Sequence, residues 1–395
     1  MILQVQIWAH FTRKKAGFDT KMIDFRSVSG AIRSWVRKNA VCCIAVVLAA
    51  LSCLLIPPDA QYASYFDWKT LTCLFCTLAV ACALKNIYFF TNIAHRIVRA
   101  AGSTRTAVLM LVCITFIGSM LIANDMALLT FLPLGYYVLT AAGQQRHMAY
   151  TFILQNIAAN LGGMLTPFGN PQNLYLYEKF RIPDGEFVSI MLPPFLLSVM
   201  LITACCFALP CRRITISTAP PRLPVGRTAL YLALFAFSIL LVFRVVPFYA
   251  GLAVVVPVLL VADRRALRRV DYGLLLTFAA FFVFAGNLAR VPAVQSFFAG
   301  LLTGNVLVVS ALSCQCISNV PTAILLSQFT ADYRALLMGV NIGGAGTLIA
   351  SLASLITFRE YTSHDPAGTG RYLRLFSGLN FGFLIVLTVF CTFCL

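Results

Sequence analysis

Two stretches in opposite halves of the chain carry one pattern, Asn160-Leu-Gly-Gly-Met-Leu-Thr166 and Asn341-Ile-Gly-Gly-Ala-Gly-Thr347. Each follows a shorter polar interruption of an apolar run, Ala123-Asn124-Asp125 in the first half and Ser318-Asn319-Val320 in the second. Breaks of this kind free backbone amides and carbonyls from helical bonding and set small polar side chains beside them. Freed amides and the N-terminal ends of half-helices suit an anion. Carbonyls and C-terminal ends suit Na+. On this chemistry Asn124, Thr166, Asn319 and Thr347, with Ser318, are the candidates to contact a small anion. Ser119, Asn124, Asn160, Gly162, Gly163, Ser318, Asn319, Asn341, Gly343 and Gly344 are the candidates to hold a coupling ion. Paired, glycine-broken apolar segments at corresponding places point to the binding site of a secondary transporter.

Asp125 is the carboxylate set inside an apolar element of the first half, and Val320 stands at the matching place in the second. An ionisable residue at membrane depth is costly and functional by default, as a cation ligand, proton carrier or part of the substrate site. The alternative is an aspartate that caps the following helix by accepting backbone N–H bonds. Asp67 and Asp271 open apolar runs and are expected to be caps, whereas Glu178 and Glu360 close theirs and are expected at the membrane interface.

These residues need helices to position them, and composition fixes the solvent. The chain has 395 residues, 60% hydrophobic and only 11% charged, with a mean hydropathy of +0.87. Apolar runs long enough to cross a bilayer recur along its length, which excludes a soluble domain. The formal charge of +17 is gathered in short blocks between these runs, at Arg13 to Lys15, Arg37 and Lys38, Arg96 to Arg105, Arg212 to Arg227, Arg264 to Arg269, and Arg371 with Arg374. This is the positive-inside pattern of cytoplasmic loops and not a nucleic-acid surface. Most of the fourteen cysteines sit inside apolar runs as small hydrophobes, and no His or Cys cluster accompanies Cys73-x-x-Cys76 or Cys391-x-x-Cys394. Neither a transition metal nor an organic cofactor is implied. No catalytic Ser-Lys, Asp-Asp or His-Glu-His constellation occupies the runs, so the reading is not that of an enzyme.

Charge and interruptions thread the chain as an all-α polytopic membrane protein of two inverted-topology repeats, each with a re-entrant helical hairpin and a discontinuous transmembrane helix. The divisions are a basic cytoplasmic tail (1–38), a first repeat (39–210), a basic loop with a linker helix (211–245) and a second, inverted repeat (246–395). Within the tail, Ile23 to Val36 is expected to lie on the inner membrane face. In the first repeat, spans at Val41 to Ile56 and Trp68 to Phe90 lead to an interfacial stretch, Thr91 to Ala101, and then to an interrupted hairpin, Thr106 to Leu139. A helix broken across Asn160 to Asn173 and a span at Phe187 to Leu209 complete it. The linker runs from Leu230 to Phe243. The second repeat has spans at Pro247 to Val261 and from Asp271 on, an interfacial stretch at Leu288 to Phe298, a hairpin at Leu301 to Phe329 and a broken helix at Ala335 to Phe358. A basic loop, Arg359 to Arg374, precedes the last span.

Ile122-Ala-Asn-Asp-Met-Ala-Leu-Leu-Thr-Phe-Leu-Pro-Leu134, Asn156-Ile-Ala-Ala-Asn-Leu-Gly-Gly-Met-Leu-Thr-Pro-Phe-Gly-Asn-Pro-Gln-Asn173 and Ile317-Ser-Asn-Val-Pro-Thr-Ala-Ile-Leu-Leu326 resemble the ion transporter superfamily. More closely they resemble its citrate-transporter-like branch, which joins divalent-anion/sodium symporters and arsenite permeases. In the divalent-anion type both tips read Ser-Asn-Thr, and Asn with its neighbours binds the substrate carboxylate and Na+. The resemblance carries that role onto Asn124 and Asn319. The Asn124-Asp125 tip is similar to the arsenite-permease and sodium/proton-antiporter side, whereas Gly169-Asn-Pro-Gln-Asn173 is similar to the carboxylate side and implies Asn170 and Asn173 as substrate residues. A homodimer in the plasma (bacterial inner) membrane with a cytoplasmic N-terminus is also implied.

The expectation is a transporter of a small anion, a di- or tricarboxylate such as citrate or succinate, coupled to Na+ or H+ by alternating access. The alternatives are efflux of arsenite or antimonite and Na+/H+ antiport.

Overall fold

The computed structural model describes residues 40–213 and 222–394. The basic tail, with Ile23 to Val36, and the centre of the loop between the halves lie outside them. The described residues are helical, with one isolated antiparallel bridge between Ser103 and Arg213. The first half contains α1 (Ala40–Leu55), the single turn α2 (Tyr62–Tyr65), α3 (Trp68–Asn86), α4 (Phe89–Val98), α5 (Thr104–Ile122), α6 (Asn124–Ala141), α7 (Met148–Gly162), α8 (Pro171–Lys179) and α9 (Asp184–Phe207). Next comes α10 (Val225–Val242). The second half contains α11 (Phe248–Ala262), α12 (Arg264–Arg269), α13 (Tyr272–Leu288), α14 (Pro292–Leu302), α15 (Val306–Ile317), α16 (Asn319–Leu326), α17 (Tyr333–Ile342), α18 (Leu352–His364) and α19 (Thr369–Cys394).

Helices α3, α5, α9, α10 and α19 are long and apolar enough to cross a membrane. The chain is an integral membrane protein, and its helix starts follow from local chemistry. Asp67 accepts the Thr70 amide at 3.0 Å to cap α3, and Asp271 accepts the Leu274 amide at 3.0 Å to cap α13, as their positions led one to expect. Pro292 begins α14, which turns by 98° from α13. One boundary differs: Arg359 lies within α18 and Arg371 and Arg374 lie within α19, so the reversal is confined to 365–368. Pro366 and Gly368 stop a helix, whereas arginine is a good helix former, and charge alone had suggested a longer loop.

The helices pack as two groups. In one, α1 lies against α13, and α3 lies against α10, α11 and α12. In the other, α5 packs on α6 and α7 while α15 packs on α16 and α17, flanked by α9 and α19. The halves interlock at the centre: α8 contacts α16 and α17, and α18 contacts α6 and α7. Each of these pairings therefore recurs with the halves exchanged.

The two ends of the bundle differ electrically. At one end four cations meet carboxylates, Arg290 with Asp59 at 2.7 Å, Arg334 with Glu186 at 2.5 Å, and Lys69 and Arg244 with Glu178 at 2.6 and 3.4 Å, while Lys179 and Arg181 beside them form no ion pair among the described residues. The hydrogen bond from Arg290 holds Asp59 below the usual carboxylate range. That tie is complete at neutral pH and is lost only as pH falls through the lowered value. At the other end Arg264, Arg265, Arg268 and Arg269 form no ion pair among the described residues. Arg105 there donates to the Leu209 carbonyl at 2.8 Å.

Glu178, expected at the membrane interface, lies at an end of the bundle but is enclosed by protein there. It is 7% exposed, and Arg244 also donates to the carbonyls of Tyr177 and Ile182 at 2.6 and 3.2 Å, its guanidinium 4.0 Å above the Tyr177 ring. Burial is affordable because two cations share the carboxylate, and the cluster ties α8 to α3 and to the end of α10. Glu178→Gln is expected to lower stability by about 2 kcal/mol, less than for a fully buried pair because Lys69 and Arg244 stay partly in water. Glu360→Gln, at an exposed pair with His364, is expected to change it by about 0.5 kcal/mol or less. Thermal unfolding of the two variants in detergent measures the contrast.

Candidate functional site

The connection between α5 and α6 is the single residue Ala123, with φ 57° and ψ 146°, and that between α15 and α16 is Ser318, with φ 73° and ψ 161°. Residues with a side chain rarely adopt this backbone, and strain of about 1–3 kcal/mol persists only where the surroundings impose it. Both turns are closed alike. The side-chain oxygen of Asn124 accepts the Asp125 amide at 2.9 Å, and that of Asn319 accepts the Val320 amide at 2.9 Å. Both asparagines are buried, whereas Ala123 and Ser318 are half-buried and Leu121 and Ile317 before them are exposed.

The broken helices meet these tips. Asn124 Nδ2 donates to Asn160 Oδ1 at 3.2 Å. Asn170 Nδ2 donates to the Asn160 carbonyl at 3.2 Å and to Asn341 Oδ1 at 3.3 Å, and Asn341 Nδ2 donates to Asn173 Oδ1 at 2.6 Å. Asn173 Nδ2 spans the carbonyls of Gly163, Met164 and Thr166 at 3.1 to 3.3 Å. A side-chain carbon at Gly344 would lie 3.5 Å from Asn319 Nδ2 and 3.7 Å from Asn160 Oδ1. Asn124, Asn160, Asn170, Asn173, Asn319, Asn341 and Gly344, all named from sequence, thus form one buried cluster drawn from both halves. Among the described residues Asn160 Nδ2, Asn170 Oδ1 and Asp125 Oδ1 are buried without a hydrogen-bond partner, leaving a donor and two acceptors uncommitted. Asp125 is half-buried at the first tip, and its carboxylate caps no backbone amide there.

Other expected residues serve as fasteners. Thr166 Oγ1 donates to the Met120 carbonyl at 2.9 Å, and Thr347 Oγ1 donates to the Gln315 carbonyl at 3.0 Å, in matching positions before the two turns. Ser119 is buried and donates to the Phe116 carbonyl at 2.8 Å, beneath Gly162, where an added carbon would sit 2.5 Å from its oxygen. Ser318 Oγ donates to the Ala350 carbonyl at 3.2 Å. Gly343 lets its break pack on Cys314.

Sequence reasoning missed Gln315. Its amide nitrogen donates to the carbonyls of Gly343 and Ala345 at 2.9 and 3.1 Å, and its oxygen accepts the Thr347 amide at 2.8 Å. It stitches the second break, in part as Asn173 stitches the first. A lone polar residue three positions before a turn was the available signal. Asn156 also went unassigned, although it reaches Ser354 of the other half at 3.3 Å.

Residues 30–336 match the citrate transporter family. The chain belongs to this family. It is 30% identical to an uncharacterized transporter of Methanocaldococcus jannaschii over 82% of its own length and 89% of that protein. It is 30% identical to the inner membrane protein YbiR of Escherichia coli over 74% and 80% of the two lengths. A shorter likeness, 31% over 36% of the chain and 29% of the relative, connects it with a silicon efflux transporter of Oryza sativa subsp. japonica. Membership of the citrate transporter family makes the chain a membrane transporter, whose work is translocation and not catalysis.

The glycines separate packing from binding. At Gly163 an added carbon would lie 2.4 Å from Asn170 Oδ1, inside the cluster's own framework. Gly163→Ala is expected to cost about 1–3 kcal/mol of stability. At Gly344 an added carbon would press lightly on the Asn341 carbonyl oxygen at 3.3 Å, which must give by a few tenths of an ångström, and would meet the Asn319 and Asn160 side chains at ordinary contact, 3.5 and 3.7 Å. Gly344→Ala is expected to fold normally while weakening apparent substrate affinity at least about tenfold, the worth of one displaced polar contact. Unfolding and flux, measured together on both variants, distinguish them.

Proposed function

We propose that the protein is a secondary active transporter of a small anion, of the di- or tricarboxylate class, driven by Na+ or H+ through alternating access. The observation that carries this reading is the asparagine cluster between the two turns, where one amide donor, Asn160 Nδ2, and two acceptors, Asn170 Oδ1 and Asp125 Oδ1, are buried without a hydrogen-bond partner. Donors suit the carboxylates of the cargo, and side-chain and backbone oxygens suit a cation. Substrate contact falls to Asn124, Asn170, Asn173 and Asn319 together with the free Asn160 amide nitrogen, and ion binding to Asp125, the Asn160 and Asn341 side-chain oxygens and the glycine-rich breaks.

In this reading the halves are inverted repeats and α5–α6 and α15–α16 are re-entrant hairpins entering from opposite faces. The exchange symmetry of the central packing and the burial of both tip asparagines support it. At about 1.5 Å per residue the arms of the second hairpin are too short to cross a core about 30 Å thick. The group containing the hairpins and broken helices moves against the group built on α3. The unpaired arginines support a cytoplasmic location for their end, hence a cytoplasmic N-terminus, in a homodimer of the plasma membrane.

Asp125 favours a second reading of the coupling step. A carboxylate beside the site, with one oxygen unpartnered, suits a proton carrier, and the same residue suits oxyanion efflux or Na+/H+ antiport. The name of the rice relative adds silicic acid to the candidate cargoes.

Counterflow of labelled citrate, succinate, arsenite and silicic acid in proteoliposomes, with and without a Na+ gradient, tests the cargo. Carboxylate-dependent flux is expected; flux of arsenite or silicic acid alone would replace the carboxylate reading. Asp125→Asn is expected to abolish the pH dependence of transport, and an unchanged pH profile would reject the proton-carrier role.

A further inference from the structure

Away from the asparagine cluster, the basic end of the bundle holds a cavity of about 450 Å³ between the end of α3, the start of α10, and α11 with α12. Four arginines line it, Arg227, Arg264, Arg265 and Arg269, against one carboxylate, Asp263. That carboxylate is turned to local work. Its Oδ1 accepts the amides of Arg265 and Ala266 at 3.1 and 3.2 Å, and its Oδ2 accepts Asn86 Nδ2 at 2.8 Å. Arg269 donates to Asn86 Oδ1 at 2.6 Å, and Arg264 Nε donates to the Leu260 carbonyl at 2.8 Å. None of the four forms an ion pair among the described residues. Four arginines around one cavity, none with a carboxylate partner among the described residues, supply the donors and charge that a phosphate needs.

The rim indicates where that phosphate comes from. Val261, at the end of α11, is 89% exposed, and Val225, which opens α10, is 82% exposed. Leu260 and Tyr88 beside them are exposed too. Apolar side chains standing out at the mouth of a basic cavity suit acyl chains below a charged headgroup.

We propose that this cavity binds the phosphate headgroup of an anionic phospholipid, with its chains running along α10 and α11. The site belongs to the group of helices built on α3 and touches none of the cargo residues. A lipid held there anchors that group in the leaflet.

The test is native mass spectrometry of the full chain, delipidated in detergent and titrated with phosphatidylglycerol or phosphatidylcholine. One saturable phosphatidylglycerol is expected, bound on the order of a hundredfold more tightly than in the triple variant Arg227→Gln/Arg264→Gln/Arg265→Gln, since each cation near an anionic lipid is worth about a fivefold factor. Phosphatidylcholine and an equal concentration of inorganic phosphate should not displace it. The control Arg359→Gln/Arg371→Gln/Arg374→Gln should bind as the wild type does. Undiminished binding by the triple variant, an equal loss in the control, or displacement by inorganic phosphate would overturn the proposal. If the triple variant does not fold, Arg227→Gln alone should bind about fivefold more weakly, and an unchanged affinity would be equally decisive against it.

Discussion

A chain that reverses or unwinds inside an apolar bundle exposes amides and carbonyls that lipid cannot satisfy, at several kcal/mol each. Everything at the centre of this protein follows from how those groups are met. Asn124 and Asn319 close the two turns, Asn173 and Gln315 span the carbonyls of the two breaks, Asn160 ties the first turn to the first break, and Asn341 joins the halves through Asn170 and Asn173. Fixing the backbone in this way uses most of the amide capacity. The few atoms left over lie where both halves meet, and these are what a cargo can engage.

The duplication is strict in the framework and loose in the chemistry. Thr166 and Thr347 fasten matching residues, and Ala123 and Ser318 share a strained backbone. Asp125 against Val320 breaks the match, as does Asn173 against Gln315, which reach the two breaks from different elements and share one corresponding carbonyl, that of Met164 and Ala345. An ion site that depends on a carboxylate therefore lies on one side of the cluster. The ends of the bundle are unlike as well, one with ion pairs to Asp59, Glu178 and Glu186, the other with Arg264, Arg265, Arg268 and Arg269 in no ion pair among the described residues.

Much of this was legible in the sequence because membrane helices announce themselves by length and interruptions by polarity. Asn124, Asn160, Asn319 and Asn341 stood out against apolar neighbours, and the glycine pairs marked the breaks. What escaped depends on contacts between distant residues. Glu178 looked like the polar end of a helix, since nothing local shows that Lys69 and Arg244 reach it. Gln315 looked incidental because its partners lie beyond the turn that it precedes. Arg371 and Arg374 looked like loop because their charge, which reports the membrane side, was read as reporting backbone conformation.

The central claim is that both turns serve one shared site. A structure determined with saturating cargo tests it directly: the account expects density touching Asn124 from one half and Asn319 from the other. Cargo density confined to one turn, or lying outside the asparagine cluster, would contradict it.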